Sequence, residues 1–271
     1  MAFSPSPAGG NALDLLGKQG YYYTEDKDNS FDDQFVKHAF TIEFWFCPAR
    51  ITNVNEGWII VGKLPLYQIE LVYDGELEHK RMLVRYSIQA DHRSSELWDI
   101  SAGINYEPQW HHFIVQGSFY ESGDNAITFL DGVSRGLGGS QGSGGTITDS
   151  DDPFYVGGFP VGTKTVISVG DRKSINADVT TFDGLIDELR ISDVLRYDSK
   201  FPGESIDIPK RFEPDKYTVA LWHFDEEAGS LSYEDASGNG HTLIASEQFG
   251  DDTTSITPKQ SIPTLWGNTK K

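Results

Sequence analysis

Basic residues are scarce in this chain: 22 Lys and Arg stand against 41 Asp and Glu, a formal net charge of −19. A surface of that sign repels nucleic-acid phosphate and anionic headgroups and offers no basic patch that would release counterions, so no nucleic-acid partner is expected. The surplus carboxylates are instead a solvated surface or ligands for divalent cations. Cysteine is nearly absent too. Cys47 alone cannot form an intrachain disulfide, and its place in an apolar strand marks it as a packed thiol. No run of about 18 apolar residues occurs, so no membrane insertion is expected. Residues Met1 to Pro7 lack the basic and apolar regions of a secretory leader. Either a leader has been removed, or the protein reaches its place without one. Long helical apolar periods with caps are missing as well, which disfavours a parallel βαβ sheet.

Turn formers and aromatic residues are abundant, with 28 Gly, 12 Pro and 13% aromatics in 271 residues. One sandwich with insertions absorbs that length. In Phe40-Thr41-Ile42-Glu43-Phe44-Trp45-Phe46-Cys47, period-two alternation puts Phe40, Ile42, Phe44 and Phe46 on one buried face. The other face, with Thr41, Glu43, Trp45 and Cys47, is mixed enough to lie under a second layer or a ligand. Further strand-like runs cover 57–61, 66–73, 81–89, 97–101, 112–117, 126–130, 153–157 and 218–224. Asp74-Gly75 and Asp131-Gly132 between such runs supply the positive φ of tight hairpins. The expectation is an all-β, two-sheet antiparallel β-sandwich. The glycine-rich stretch 136–145 reads as a loop between strands. We expect the sandwich to span 1–200, a return segment at 201–250 to complete it or pack on it, and 251–271 to be a polar tail.

Ordered stations along the chain resemble the concanavalin A-like lectin and glucanase superfamily, in particular its laminin G-like jelly-roll domains. They run from Asn11-Ala12-Leu13-Asp14-Leu15 and Gly20-Tyr21-Tyr22-Tyr23 through Phe40 to Trp45, then Trp110-His111-His112-Phe113 and Ile127 to Val133. Tyr155-Val156-Gly157-Gly158 and Phe182 to Ile191 complete the set. The resemblance implies a two-sheet jelly roll. The segment Asp187 to Tyr197 is also similar to sandwich domains of phage virion proteins. Fold does not fix function, so three roles follow as expectations. The first is a carbohydrate-binding or adhesion module on an extracellular or particle surface, with a glycan or other surface ligand as partner. The second is a virion structural protein whose partners are other virion proteins. The third is a glycoside hydrolase or lyase.

Paired carboxylates about 5 Å apart would support retaining hydrolysis. The nearest sequence approach, Glu213-Pro214-Asp215, lacks a third acid and contains a strand-breaking Pro. Asp187-Glu188 is rejected because adjacent strand residues point to opposite faces. No nucleophile elbow and no HExxH occurs, and the expectation is a protein that is not an enzyme.

Sugar recognition needs flat aromatic faces beside carboxylates, amides or Arg. The loop containing Asp91, Arg93, Trp98 and Asp99 offers them within nine residues, with Tyr67 and Trp58 as further candidates. For a metal, Asp235, Ser237, Asn239 and His241 place side-chain donors at alternate positions around Gly240, the pattern of a tight calcium loop. Its alternative is an Asx-type turn. Because superfamily members hold calcium near a sandwich edge, the resemblance implies a structural Ca2+ completed by Asp183 or Asp187.

Overall fold

The computed structural model describes residues 4–32, 39–49, 57–64, 66–74, 81–88, 102–104, 108–118, 125–139, 150–160, 163–169, 173–178, 180–198 and 201–250. The first strands are β1 (Leu13–Asp14), β2 (Tyr22–Thr24), β3 (Ala39–Pro48), β4 (Gly57–Lys63), β5 (Tyr67–Asp74) and β6 (Arg81–Ile88). Then come β7 (Ala102–Ile104), β8 (His111–Ser118), β9 (Asn125–Leu130), β10 (Val133–Gly139), β11 (Phe154–Val156) and β12 (Lys164–Val169). The last six are β13 (Lys173–Asp178), β14 (Thr180–Thr181), β15 (Gly184–Ser192), β16 (Thr218–Trp222), β17 (Ser232–Tyr233) and β18 (Leu243–Ala245). Among the described residues the one helical element is a 3-10 turn, Glu247–Gly250.

Two sheets face each other. One is seven-stranded, in the order β1-β15-β3-β8-β9-β10 with β16 also on β15; the other is nine-stranded, in the order β17-β18-β2-β11-β4-β5-β6-β7 with β14 on β4. Pairing is antiparallel except between β14 and β4, and β12 and β13 form a separate hairpin. Alternation drives the core: Phe40, Ile42, Phe44 and Phe46 of β3 meet Phe113 and Val115 of β8, with Ile60 and Val61 of β4 from the facing sheet. At its centre Phe31, Phe154 and Trp222 stack, Phe31 on Phe154 at 4.8 Å and Phe154 on Trp222 at 5.9 Å between ring centroids. That stack ties the segment before β3, the centre of one sheet and the C-terminal return together. Each such ring stabilises the fold by about 1.5–3 kcal/mol through burial alone.

Residues of the connector between β15 and β16 lie on the outer face of the seven-stranded sheet. Tyr197, Ile206 and Ile208 of that connector pack on Ile114, Ile127 and Phe129. Glu43, fully buried there, takes two hydrogen bonds from Arg190, at 2.7 and 2.9 Å, and one from the Tyr197 hydroxyl at 2.6 Å. The mixed outer face of β3 therefore lies under a second protein layer, which satisfies its charges internally.

Two local readings of the sequence change. Gly136 to Gly139 is not loop: it is paired in β10 with Thr128, Ile127, Ala126 and Asn125. The Asp131-Gly132 turn, with φ of 53° and 75°, sets that register, and backbone hydrogen bonds need no side chains. The second change is at Asp187-Glu188. A register irregularity between Asp187 and Arg190 puts Glu188 at φ 50°. Ile186 and Leu189 remain in the core, so both carboxylates leave it, against the alternation argument.

Candidate functional site: a tyrosine row and its end pocket

Three consecutive tyrosines open the nine-stranded sheet. Tyr22 turns inward and packs edge-on against Tyr233 at 5.2 Å, so period two sends Tyr21 and Tyr23 to the outer face. On β11, Phe154 and Val156 enter the core while Tyr155 joins the outer cluster with Ile59 and Phe159. Register then aligns Ile244, Tyr23, Tyr155 and Gly62 across β18, β2, β11 and β4. Tyr21 and Phe159 flank the row, with Tyr21–Tyr155 at 5.5 Å and Tyr155–Phe159 at 5.4 Å, both edge to face. Gly62 is required here because a Cβ would meet the Phe159 Cζ at 2.8 Å and the Tyr67 carbonyl oxygen at 2.8 Å. Tyr21 and Tyr23 stay half-buried, and Ile244 is 49% exposed. Burial, then the neighbouring Tyr21 and Asp152, push the Tyr155 hydroxyl up to about 12, so it stays a neutral donor and acceptor.

A pocket of about 490 Å3 adjoins the end of this row, within the range of small-molecule sites. Ile244 belongs to both. One wall is Thr24, Glu25, Lys27 and Asp28; the other is Asn239 to Thr242. Both walls are held from beneath. Buried Lys63 bonds Asp26 and the Asp152 carbonyl, lies 3.3 Å from Asp32, and so anchors the segment carrying Lys27 and Asp28. Opposite, the His241 carbonyl accepts from the Trp222 indole at 2.8 Å, and the His241 ring lies edge-on to Phe31 at 4.7 Å. Its Nε2 sits 3.1 Å from the Ser30 hydroxyl. Such walls lose little freedom when a ligand binds.

The calcium pattern at Asp235 resolves as an Asx-type turn. Oδ1 of Asp235 accepts from the amides of Leu221 and Ser237, and Oδ2 from the Ser237 hydroxyl and the amides of Gly240 and His241. Desolvation pushes this carboxyl up and those bonds push it down, with a net shift below its usual range. Asn239 donates its amide to the Thr218 and Val219 carbonyls. Five N–H and O–H donors surround the carboxylate where a cation would have to sit, so Asp235, Ser237, Asn239 and His241 do not fit Ca2+. Asp183 accepts from the Gly17 amide, and Asp187 from the Ser6 hydroxyl and the Glu188 amide; neither contacts the Asp235 turn. Among the described residues no group of three or more His, Cys, Asp or Glu is arranged to hold a metal ion.

Trp58 and Tyr67 are core residues rather than ligand contacts. Trp58 packs edge-on against Phe182 at 5.9 Å, and Tyr67 is 2% exposed with its hydroxyl towards the Phe31 carbonyl. Strand phase decides this, since both fall on the inward face of their strands. Asp91, Arg93, Trp98 and Asp99 lie outside the described residues. The tyrosine row is a candidate that the sequence also carries in Tyr21-Tyr22-Tyr23: when the middle ring faces the core, its two neighbours face the other way.

The buried acids are committed elsewhere. Glu188 accepts from the Phe212 amide and from His223 at 2.7 Å each, with Arg211 at 3.4 Å. Burial, with help from Glu188 and Asp225, pushes Asp187 up to about 7 against the opposing Ser6 bond. Neither carboxylate is exposed to solvent. His111 bonds Asp131 at 2.8 Å, while His112 is fully buried between Trp45 and Phe212, and among the described residues neither ring nitrogen has a hydrogen-bond partner. Burial holds His112 down to about 3, a neutral structural ring. Cys47 is buried, and its thiol is pushed up to about 12, which makes it inert.

The fold is a two-sheet antiparallel β-sandwich, covered on one sheet by its own connector and carrying an aromatic row on the other. Among solved structures, a candidate carbohydrate-binding protein from Bacteroides ovatus is 13% identical, matching 88% of this chain and 58% of its own, with a TM-score of 0.49. Domain 4 of AbnA, a GH43 extracellular arabinanase from Geobacillus stearothermophilus in complex with arabinotriose, is 21% identical over 70% of this chain and 73% of its own, with a TM-score of 0.40. A heptameric SAP-like pentraxin from Limulus polyphemus is 12% identical over 67% and 74%, with a TM-score of 0.40. No protein-family model and no curated protein matches the chain.

Proposed function

We propose that this protein is a non-catalytic carbohydrate-binding module whose ligand lies along Ile244, Tyr23 and Tyr155 on the outer face of the nine-stranded sheet. The observation that carries the reading is a cross-strand row in which exposed Ile244 and half-buried Tyr23 stand beside the edge of the largely buried Tyr155, with a pocket of mixed lining at its end. Aromatic surface stacks on the apolar faces of sugar rings, and tyrosine hydroxyls with pocket carboxylates and amides take up the hydroxyls. Among the described residues, the outer face of the opposite sheet is covered by its connector. Asp91, Arg93, Trp98 and Asp99 lie outside the described residues, and we propose them as further ligand contacts from the sequence alone. Affinity electrophoresis of the full chain in gels containing neutral polysaccharides tests the proposal. Retardation that is lost in Tyr23→Ala supports it, and free migration through every polysaccharide counts against it.

A further inference from the structure

Charge distinguishes the pocket from the row. Glu25, Lys27 and Asp28 are exposed at its rim and make no ion pair with the described residues, so among the described lining residues two carboxylates stand against a single ammonium. Desolvation pushes Asp28 up, hydrogen bonds from Ser30 and the nearby His241 push it down, and the net shift is downward, which keeps it ionised. The opposite wall adds Asn239, whose amide nitrogen is spent on backbone carbonyls, so its carbonyl oxygen remains as an acceptor. The acceptors Glu25, Asp28 and Asn239 therefore stand together at this rim, and their two charges exceed that of Lys27. A sugar hydroxyl answers them by donating, whereas a uronate, sulfate or sialate would bring a third negative charge into a partly desolvated space, beneath a chain of net charge −19.

Building on the carbohydrate-binding reading, we infer that the pocket at Glu25, Asp28 and Asn239 takes the terminal ring of an uncharged glycan, with the rest of the chain following Ile244, Tyr23 and Tyr155. Ile244 is the junction, because it lines the pocket and stands opposite Tyr23 in the β18–β2 register. Selectivity for neutral over acidic glycans then resides in the pocket, while most of the affinity resides in the row. The two roles separate by mutation, since Glu25→Gln and Asp28→Asn alter exposed side chains and remove no core contact.

The experiment is isothermal titration of the full chain with neutral oligosaccharides of arabinose, xylose, glucose, galactose and mannose, and with galacturonate and sialylated oligosaccharides. It is repeated on Tyr23→Ala and on the Glu25→Gln, Asp28→Asn double variant. We expect a neutral oligosaccharide to bind, the double variant to lose roughly tenfold in its affinity, about 1.4 kcal/mol, and acidic oligosaccharides to bind the double variant better than the native chain. Neutral binding that depends on Tyr23 but is unchanged in the double variant, or a native preference for acidic oligosaccharides, overturns the pocket inference and leaves the row intact. Absence of binding to every oligosaccharide, or binding unaffected by Tyr23→Ala, overturns the underlying reading itself.

Discussion

Ile244 stands directly opposite Tyr23 across β18 and β2, so a residue of the C-terminal return extends an aromatic row that begins within the first 25 residues. The surface they share exists only when both ends of the chain are in the same sheet. A change at one end is therefore felt as lost binding more than as lost stability. Tyr23→Ala is expected to lower glycan affinity by tenfold or more while costing about 1 kcal/mol of stability, because its ring is only half-buried. Thermal melting beside titration separates the two effects.

Gly62 predicts the reverse pattern. Its alanine variant must displace Phe159 and press on the Tyr67 backbone, both at 2.8 Å from the new Cβ. Overpacking of this kind costs about 1–3 kcal/mol. Denaturant unfolding of Gly62→Ala should show a lower midpoint with an unchanged slope; a midpoint equal to that of the native chain would show that Phe159 does not rest on this strand.

Asp187 and His112 give opposite responses to pH. The Asp187 pKa is raised in the fold to about 7 from 3.8, so its stabilisation is complete below about pH 4 and fades as pH rises through 7. The His112 pKa is depressed to about 3 from 6.5, so its stabilisation is complete above 6.5 and fades as pH falls towards 3. The two offset one another between about pH 4 and 6.5. Removing one should expose the other: Asp187→Asn should gain stability with rising pH over that window, and His112→Phe should lose it. Each slope approaches about 1.4 kcal/mol per pH unit. Melting curves at several pH values decide this, and identical slopes in the two variants would refute it.

The Asp235 turn should take no calcium, because the lone pairs of Asp235 are already used by five donors, so any effect of Ca2+ on the melting temperature should be the same in the native chain and in Asp235→Asn. Asp235→Ala, in contrast, orphans those donors and should cost about 2–4 kcal/mol. A stabilisation by added Ca2+ that chelator reverses and Asp235→Asn removes would contradict the Asx-turn assignment.

Much of the fold was legible because local rules agreed with it. The alternation in Phe40 to Cys47 and the Asp131-Gly132 turn each specify strand phase or turn type without knowledge of distant residues. The site was less legible because it depends on register. Nothing near Trp58 or Tyr67 announces which strand face is inward, and only pairing brings Ile244 beside Tyr23 and Tyr155. The hairpin of β12 and β13, with its polar Lys173-Ser174-Ile175-Asn176, carries weak alternation and was not anticipated. The bulge at Glu188 defeated an alternation argument that is sound for a regular strand. The Asp235 turn shows the remaining limit: oxygen spacing looks the same in a calcium loop and in a turn, and the direction of the backbone amides tells them apart.

The central claim is that a glycan lies on the tyrosine row. Amide hydrogen exchange of the full chain, with and without the neutral oligosaccharide that it binds most tightly, addresses it directly. The account predicts added protection at Tyr21–Glu25, Tyr155–Phe159 and His241–Ala245, with the Asp193 to Tyr217 cover unchanged. Protection confined to that cover, with β2, β11 and β18 unaffected, would contradict it.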